Sequence, residues 1–122
     1  MKIEIIEHEF SICKLENLSQ FDFTDEFYFI GKTDEETSLV CTSKSVPQNA
    51  GECENGWRAF RICGTLEFSL IGTISKLSAL LADNGIGIFA LSTYNTDYIL
   101  TKSENFENAV NTLNANGYEI KR

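Results

Sequence analysis

The second half of the chain begins with two segments whose apolar residues follow different periods. Residues 57–63 alternate large apolar side chains with arginines, which is the period-two pattern of a half-buried strand. From Ser69 to Asn84 the apolar residues recur at helical spacing. Ser69 is the expected N-cap of this helix, and Asn84-Gly85 is the expected left-handed stop. The pattern therefore predicts a strand, a turn and a helix.

The segments that follow predict two strands, a second helix and a last strand. Ile86–Ser92 is apolar on both faces and predicts a central strand, and Asp97–Lys102 is rich in β-forming residues. The polar segment Thr93–Thr96 between them has hairpin length. Ser103 is expected to cap a second helix, which ends at Gly117 before a C-terminal strand. This βαββαβ order predicts an α+β, ferredoxin-like unit with two helices on one face of an antiparallel sheet.

The first half has little helical signal and predicts strands. The expected strands cover residues 2–7, 10–15, 27–32 and 37–41. The first two would form a hairpin around His8-Glu9, and residues 43–56, with Pro47 and two glycines, are the expected linker. The chain is therefore expected to divide into 1–56 and 57–122.

Composition and charge narrow the classes of function. The chain has 122 residues, 43% of them hydrophobic, which suffices for a packed core. The net charge is −8, and residues 1–56 hold twelve acidic against four basic side chains. Lys and Arg form no stripe that could follow phosphates, so nucleic acid is not an expected partner. No run is long and apolar enough for a membrane span, and the N-terminus alternates charge with hydrophobe, unlike a secretory signal, which predicts a cytoplasmic protein without membrane contact.

Catalytic, metal and cofactor chemistry finds little support in the residue types. The cysteines are Cys13, Cys41, Cys53 and Cys63. No pair has the spacing of a structural zinc site, and His8 is the only histidine, so no metal, cofactor or enzymatic activity is expected. Three cysteines fall in apolar runs and are expected to be core thiols. Cys53 is expected at the surface, where its neighbours Glu52 and Glu54 disfavour the thiolate and argue against a nucleophilic role.

Two segments are candidates for ligand binding. Gly64–Gly72 places a glycine-containing loop before a helix N-terminus, where free backbone N–H groups favour a carboxylate or phosphate. The alternative is a plain turn capped by Ser69. In Ser92–Tyr98, hydroxyls, an amide and one carboxylate lie between two apolar strands. Asp97 either caps the turn through nearby N–H groups or meets an ammonium or guanidinium group.

These two segments carry a resemblance to a known family. Gly64–Ile74 and Ile88–Leu100 resemble the small two-module ACT proteins of bacteria. The hairpin is also similar to that of CASTOR-type arginine sensors and of ACT modules attached to aspartate kinases. The resemblance covers about 57–117, while residues 1–56 match a degenerate, strand-rich ACT-like module in outline. It implies a βαββαβ ACT module that pairs side by side with another, with an amino-acid pocket at the edge between modules.

The resemblance also implies which residues bind the ligand. Backbone amides of the loop would hold the ligand's carboxylate, Asp97 would face its cationic group, and Glu67 would assist. Thr65 and Ile71 depart from the pattern, since relatives often have proline and a hydroxyl residue there. The expected ligand-binding residues are Glu67, Phe68, Ser69, Leu70, Ile71, Gly72, Ser92, Thr93, Asn95 and Asp97.

The leading hypothesis is an amino-acid-binding regulatory or sensor domain without catalytic activity, acting as a homodimer on a regulated partner protein. The alternative is a ligand-free interaction module that uses the acidic first half or a sheet edge. A third hypothesis, a metal or thiol function of Cys53, His8 and the other cysteines, predicts bound metal in the purified protein, and none is expected.

Overall fold

The computed structural model describes residues 1–63 and 72–122. Its strands are β1 (Lys2–Leu15), β2 (Tyr28–Lys32), β3 (Thr37–Thr42), β4 (Glu52–Cys63), β5 (Phe89–Ser92), β6 (Asp97–Lys102) and β7 (Glu119–Lys121). Its helices are α1 (Thr73–Asp83) and α2 (Ser103–Ala115), and a single 3-10 turn covers Ser43–Ser45. The chain forms two compact units, Met1–Glu7 with Arg58–Arg122 (the α+β unit) and His8–Trp57 (the strand-rich unit).

In the α+β unit, hydrogen-bonded neighbours follow the order β1, β4, β6, β5, and β7 pairs with β1. The pairing of β5 with β6 is antiparallel and sets Phe89 opposite Leu100. The pairing of β7 with β1 is parallel and sets Ile120 opposite Ile3. From β4 to β7 the elements follow the predicted order of strand, helix, strand, strand, helix, strand, which confirms the α+β, ferredoxin-like class.

The two helices bury apolar faces in the core of this unit. In α1 the buried residues are Leu77 and Leu81, four positions apart, as expected for an amphipathic helix. In α2 the buried residues are Phe106, Ala109, Val110 and Leu113. They pack with Ile3, Ile5, Phe60, Ile86 and Ile99 into one cluster. For α1, the helical spacing of apolar residues in the sequence agrees with the face that the structure buries in this core.

The strand-rich unit is built on β3. Strand β1 pairs antiparallel with one side of β3, and β2 pairs antiparallel with the other. A small core joins Cys13, Leu15, Phe21, Leu39 and Cys41. No α-helix occurs in 8–57, all of which the structure describes, and this agrees with the weak helical signal of the first half. The module boundary between 56 and 57 stays a prediction, while β1 and β4 each contribute residues to both units.

The predicted hairpin at His8-Glu9 is wrong, because β1 is one strand from Lys2 to Leu15. Its two ends have different partners: Lys2–Glu4 pairs with β7, and Phe10–Leu15 pairs with β3. The backbone groups at each end of β1 therefore find hydrogen-bond partners in another strand, and the chain does not turn back at His8-Glu9. The centroid of the His8 ring lies 5.8 Å from that of the Phe27 ring. The expected linker over 43–56 is also too long, since its last five residues begin β4.

The start of each helix differs from the prediction. Helix α1 begins at Thr73, because its N-cap Gly72 has a φ of +87°, a left-handed value through which a right-handed helix cannot pass. Ser69, the predicted N-cap, lies outside the described residues. Helix α2 begins at Ser103 itself with Lys102 as N-cap, and no side chain caps it.

The apolar composition of residues 86–92 predicted a central strand, and this prediction is wrong for β5. Among the described residues it ends the hydrogen-bonded order of the α+β unit, with β6 as its neighbour. It has four residues, and its burial alternates between half-buried and exposed positions. The exposed positions are the small residues Ala90 and Ser92, so placing them at an edge costs little buried apolar area.

Candidate ligand-binding site

The β5–β6 hairpin carries four of the predicted site residues. Ser92 and Asp97 are the pair that closes it. The backbone N–H of Thr93 donates to the carbonyl of Thr96 at 2.8 Å, and the Thr93 hydroxyl donates to the same oxygen at 3.0 Å. Thr93 and Asn95 are exposed residues, but the Thr93 hydroxyl is hydrogen-bonded within the turn. The structure thus brings Ser92, Thr93, Asn95 and Asp97 together, as predicted for a hairpin.

Thr96 fixes this hairpin to the neighbouring strand. Its side chain is buried, and its hydroxyl donates a 2.6 Å hydrogen bond to the backbone carbonyl of Ile62 in β4. Strand β4 ends at Cys63, directly before the predicted binding loop. The hairpin is therefore attached to the strand that leads into this loop. The sequence singled out the polar run around Thr96 but not this residue's anchoring role, because the bond spans 34 positions.

Asp97 is a half-buried residue whose carboxylate has no cationic partner in the described part of the chain. Its Oδ1 accepts a hydrogen bond of 2.6 Å from the hydroxyl of Ser92. Side chains alternate along a strand, so Asp97 shares a sheet face with Ile99, which packs into the helix-covered core. A carboxylate oriented by one hydroxyl and left without a counter-charge is suited to accept hydrogen bonds from a cation.

The predicted binding loop is described only at its last residue. Glu67, Phe68, Ser69, Leu70 and Ile71 lie outside the described residues. Gly72 is exposed, and a Cβ at this position would meet no atom of the described residues within 4 Å. Its requirement for glycine comes from the left-handed φ and not from crowding. Gly72, the N-cap of α1, has no side chain that could cap the backbone N–H groups of the first turn, and such N–H groups can bind an anion.

A charged network beside the hairpin was not predicted. Arg61 donates from Nε to the carboxylate of Glu4 at 3.0 Å and from a terminal nitrogen to the hydroxyl of Tyr98 at 3.1 Å. The Arg61 hydrogen bond lowers the pKa of Glu4, and the bond to Tyr98 raises the pKa of Arg61. Tyr98 follows Asp97 in β6 and so lies on the opposite face. This network supports the strands of the unit and leaves Asp97 unpaired.

A pocket in the strand-rich unit contains none of the predicted residues. Its volume is about 260 Å³, and it lies between the end of β1 and the start of β4. It is lined by Lys14, Leu15, Glu16, Asn49, Gly51 and Glu52. Sequence reasoning missed it because its two walls are separated by more than thirty positions and carry no motif.

Residues 1–63 and 72–122 contain neither the side-chain group that a metal site requires nor a helix that could span a membrane. In these two ranges no group of three or more His, Cys, Asp or Glu side chains is arranged to hold a metal ion. No helix there is long and apolar enough to cross a membrane.

Comparison with known proteins gives a family and a fold. A family model described as the ACT domain matches residues 52–115, which span β4 to α2. The chain is similar to the solved structure of protein Atu0741 from Agrobacterium tumefaciens, with 29% identity, a TM-score of 0.86, and coverage of 98% of this chain and 90% of that one. None of the curated proteins matches the chain.

Two further solved structures share the fold at lower identity. VC0802 from Vibrio cholerae, a protein of unknown function, has 17% identity and a TM-score of 0.71, with coverage of 93% of this chain and 88% of that one. The aspartate kinase of Clostridium acetobutylicum, an allosteric enzyme, has 12% identity and a TM-score of 0.63. There the match covers 86% of this chain but 32% of the kinase.

Proposed function

The chain belongs to the ACT domain family, and on that basis we propose that it is a regulatory module that binds a free amino acid at the β5–β6 hairpin. Family membership supports a regulatory, ligand-binding role. The amino acid as ligand and the residues that bind it are the content of the proposal.

The observation that carries the proposal is the environment of the Asp97 side chain, which has a hydrogen-bond donor but no counter-charge among the described residues. The residue is half-buried, its carboxylate accepts a hydrogen bond of 2.6 Å from the Ser92 hydroxyl, and it has no Lys or Arg partner among the described residues. A carboxylate without a counter-charge forms strong hydrogen bonds with a cation that brings its own donors. The α-ammonium group of an amino acid, or a basic side chain, supplies such donors.

The other end of the ligand is assigned to the loop before α1. In the proposal, backbone N–H groups of Phe68–Gly72 bind the ligand's carboxylate, and Glu67 assists Asp97. Two observations support this: the N-cap residue Gly72 has no side chain to cap the first turn of α1, and Thr96 ties the hairpin to the strand that leads into the loop. Opposite charges at the two ends of a zwitterion would then meet complementary groups.

The proposal has further parts that stay predictions. The module acts without catalysis, as a homodimer, on a regulated partner protein in the cytoplasm. It needs no metal or cofactor, because carboxylate, hydroxyl and backbone N–H groups suffice to bind a zwitterion.

The proposal is tested by thermal denaturation of the purified chain with each of the common amino acids at millimolar concentration. A ligand present at a hundred times its dissociation constant stabilises the folded state by about 2.7 kcal/mol. We expect one amino acid, or a small group with related side chains, to raise the melting temperature. No shift with any amino acid would contradict the proposal and favour the ligand-free interaction module.

A further inference from the structure

Two cysteines from neighbouring strands lie side by side in the strand-rich unit. Cys13 is in β1 and Cys53 is in β4, and these strands are hydrogen-bonded neighbours. Their sulfur atoms are 2.8 Å apart, and both side chains are free thiols. A disulfide has a sulfur–sulfur distance of about 2.0 Å, so the two atoms need to approach by about 0.8 Å to bond. The fold therefore places these thiols within reach of each other.

The two thiols differ in exposure. Cys13 is 2% exposed, whereas Cys53 is at the surface. Burial raises the pKa of Cys13, and it raises the pKa of the neighbouring Cys41 to about 11. An oxidant in solution meets Cys53 first, because Cys53 is exposed whereas Cys13 is buried.

The position of the flanking glutamates changes the sequence-based argument against Cys53. Successive side chains on a strand point to opposite faces. Glu52 and Glu54 therefore lie on the face opposite Cys53 and Cys13, and Glu52 lines the pocket together with Lys14. Their charges are directed away from the sulfur, so the reason to exclude Cys53 as a nucleophile is weaker in the folded chain than in the sequence.

We propose that Cys13 and Cys53 form a reversible disulfide by exchange with a low-molecular-weight disulfide. The Cys53 thiolate attacks one sulfur of the small disulfide, bonds to that half, and releases the other half as a thiolate that takes up a proton. Cys13 then loses its proton and attacks the Cys53 sulfur, and the second small thiol leaves with a proton. Two protein thiols are oxidised, and one small disulfide is reduced to two thiols.

The other cysteines do not offer the same route. Cys41 is fully buried in β3, and Cys63 is half-buried and belongs to the α+β unit. Closing the Cys13–Cys53 bond joins β1 to β4 next to Lys14 and Glu52, so oxidation would fix the two walls of the 260 Å³ pocket relative to each other.

The test uses the full chain equilibrated in glutathione buffers from fully reduced to fully oxidised. Samples are quenched in acid, unfolded, alkylated and analysed by intact and peptide mass spectrometry. We expect oxidised buffer to remove two hydrogens from the protein and to give a peptide that links Cys13 to Cys53. Reduced buffer should restore both thiols.

Two variants make the assignment specific. Cys53→Ser changes an exposed residue and should abolish the disulfide, and Cys63→Ser is the matched control that should oxidise like the parent chain. A link between Cys13 and Cys41 would overturn the proposal. So would a glutathione adduct that persists on Cys53 while Cys13 is still alkylated, or full alkylation of both thiols in oxidised buffer.

Discussion

The hydroxyl of Thr96 donates a hydrogen bond of 2.6 Å to the backbone carbonyl of Ile62. This bond joins the turn of the β5–β6 hairpin to the end of β4, and Thr96 is buried where it does so. The polar tip of the hairpin can therefore face solvent while its base stays fixed. Asp97, the next residue, takes its position from this anchor.

Replacing Thr96 by valine should destabilise the chain, since it keeps the shape of the side chain but removes the donor to Ile62. Loss of a buried partner costs about 1–3 kcal/mol. Chemical denaturation of the variant and the parent measures the difference. Thr112→Val is the matched control, because the Thr112 hydroxyl bonds to Asn108 at an exposed site of α2 and should cost less. Equal effects of the two variants would show that the Thr96 bond is not a special anchor.

Replacing Gly72 by alanine should destabilise the start of α1 through the backbone alone. The φ of +87° costs a residue with a Cβ about 1–2 kcal/mol, whereas no atom of the described residues lies within 4 Å of the added carbon. Thermal and chemical denaturation should both show the loss. Gly87→Ala provides the control, because that glycine also has open space but does not have a left-handed φ. An unchanged stability of the Gly72 variant would mean that α1 does not need this conformation.

Glu4 should contribute stability that depends on pH. Its hydrogen bond from Arg61 lowers its pKa below the ordinary value of 4.5. A group with a lowered pKa in the folded state stabilises the fold above its unfolded pKa, and this stabilisation disappears as the pH falls through the folded pKa. The parent chain should thus be more stable than Glu4→Gln at pH 7, and the difference should vanish in acid, below the folded pKa.

Urea denaturation at both pH values measures this difference. The double variant with Arg61→Met supplies the control, since without the guanidinium group the Glu4→Gln change should lose most of its pH dependence. A difference between parent and Glu4→Gln that is the same at both pH values would contradict the assigned cause.

Much of the fold could be predicted from the sequence, because helix faces and hairpins are local. Leu77 and Leu81 are four positions apart, so their helical period is visible without knowledge of the partners. The partner of β7 is not visible in this way. Ile120 pairs with Ile3 from the opposite end of the chain, and no local pattern encodes that contact.

The candidate site, too, could be predicted from the sequence only where its contacts are local. The polar run that contains Asp97 stands out because a carboxylate beginning an apolar strand is unusual, and the structure places it in a hairpin as expected. Two other relationships, Thr96 with Ile62 and Cys13 with Cys53, join residues 34 and 40 positions apart. Spacing arguments reach only a few residues, so these contacts required the folded chain.

The central claim, that Asp97 binds the cationic group of an amino acid, is tested most directly by calorimetric titration of the parent chain and Asp97→Asn with the amino acid that gives the largest thermal shift. Loss of a charged hydrogen-bond partner costs about 1.5–3 kcal/mol, so Asp97→Asn should bind about ten- to a hundredfold more weakly. Asp83→Asn removes the same charge at an exposed position of α1 and should bind like the parent. Equal affinity of Asp97→Asn and the parent would contradict the account.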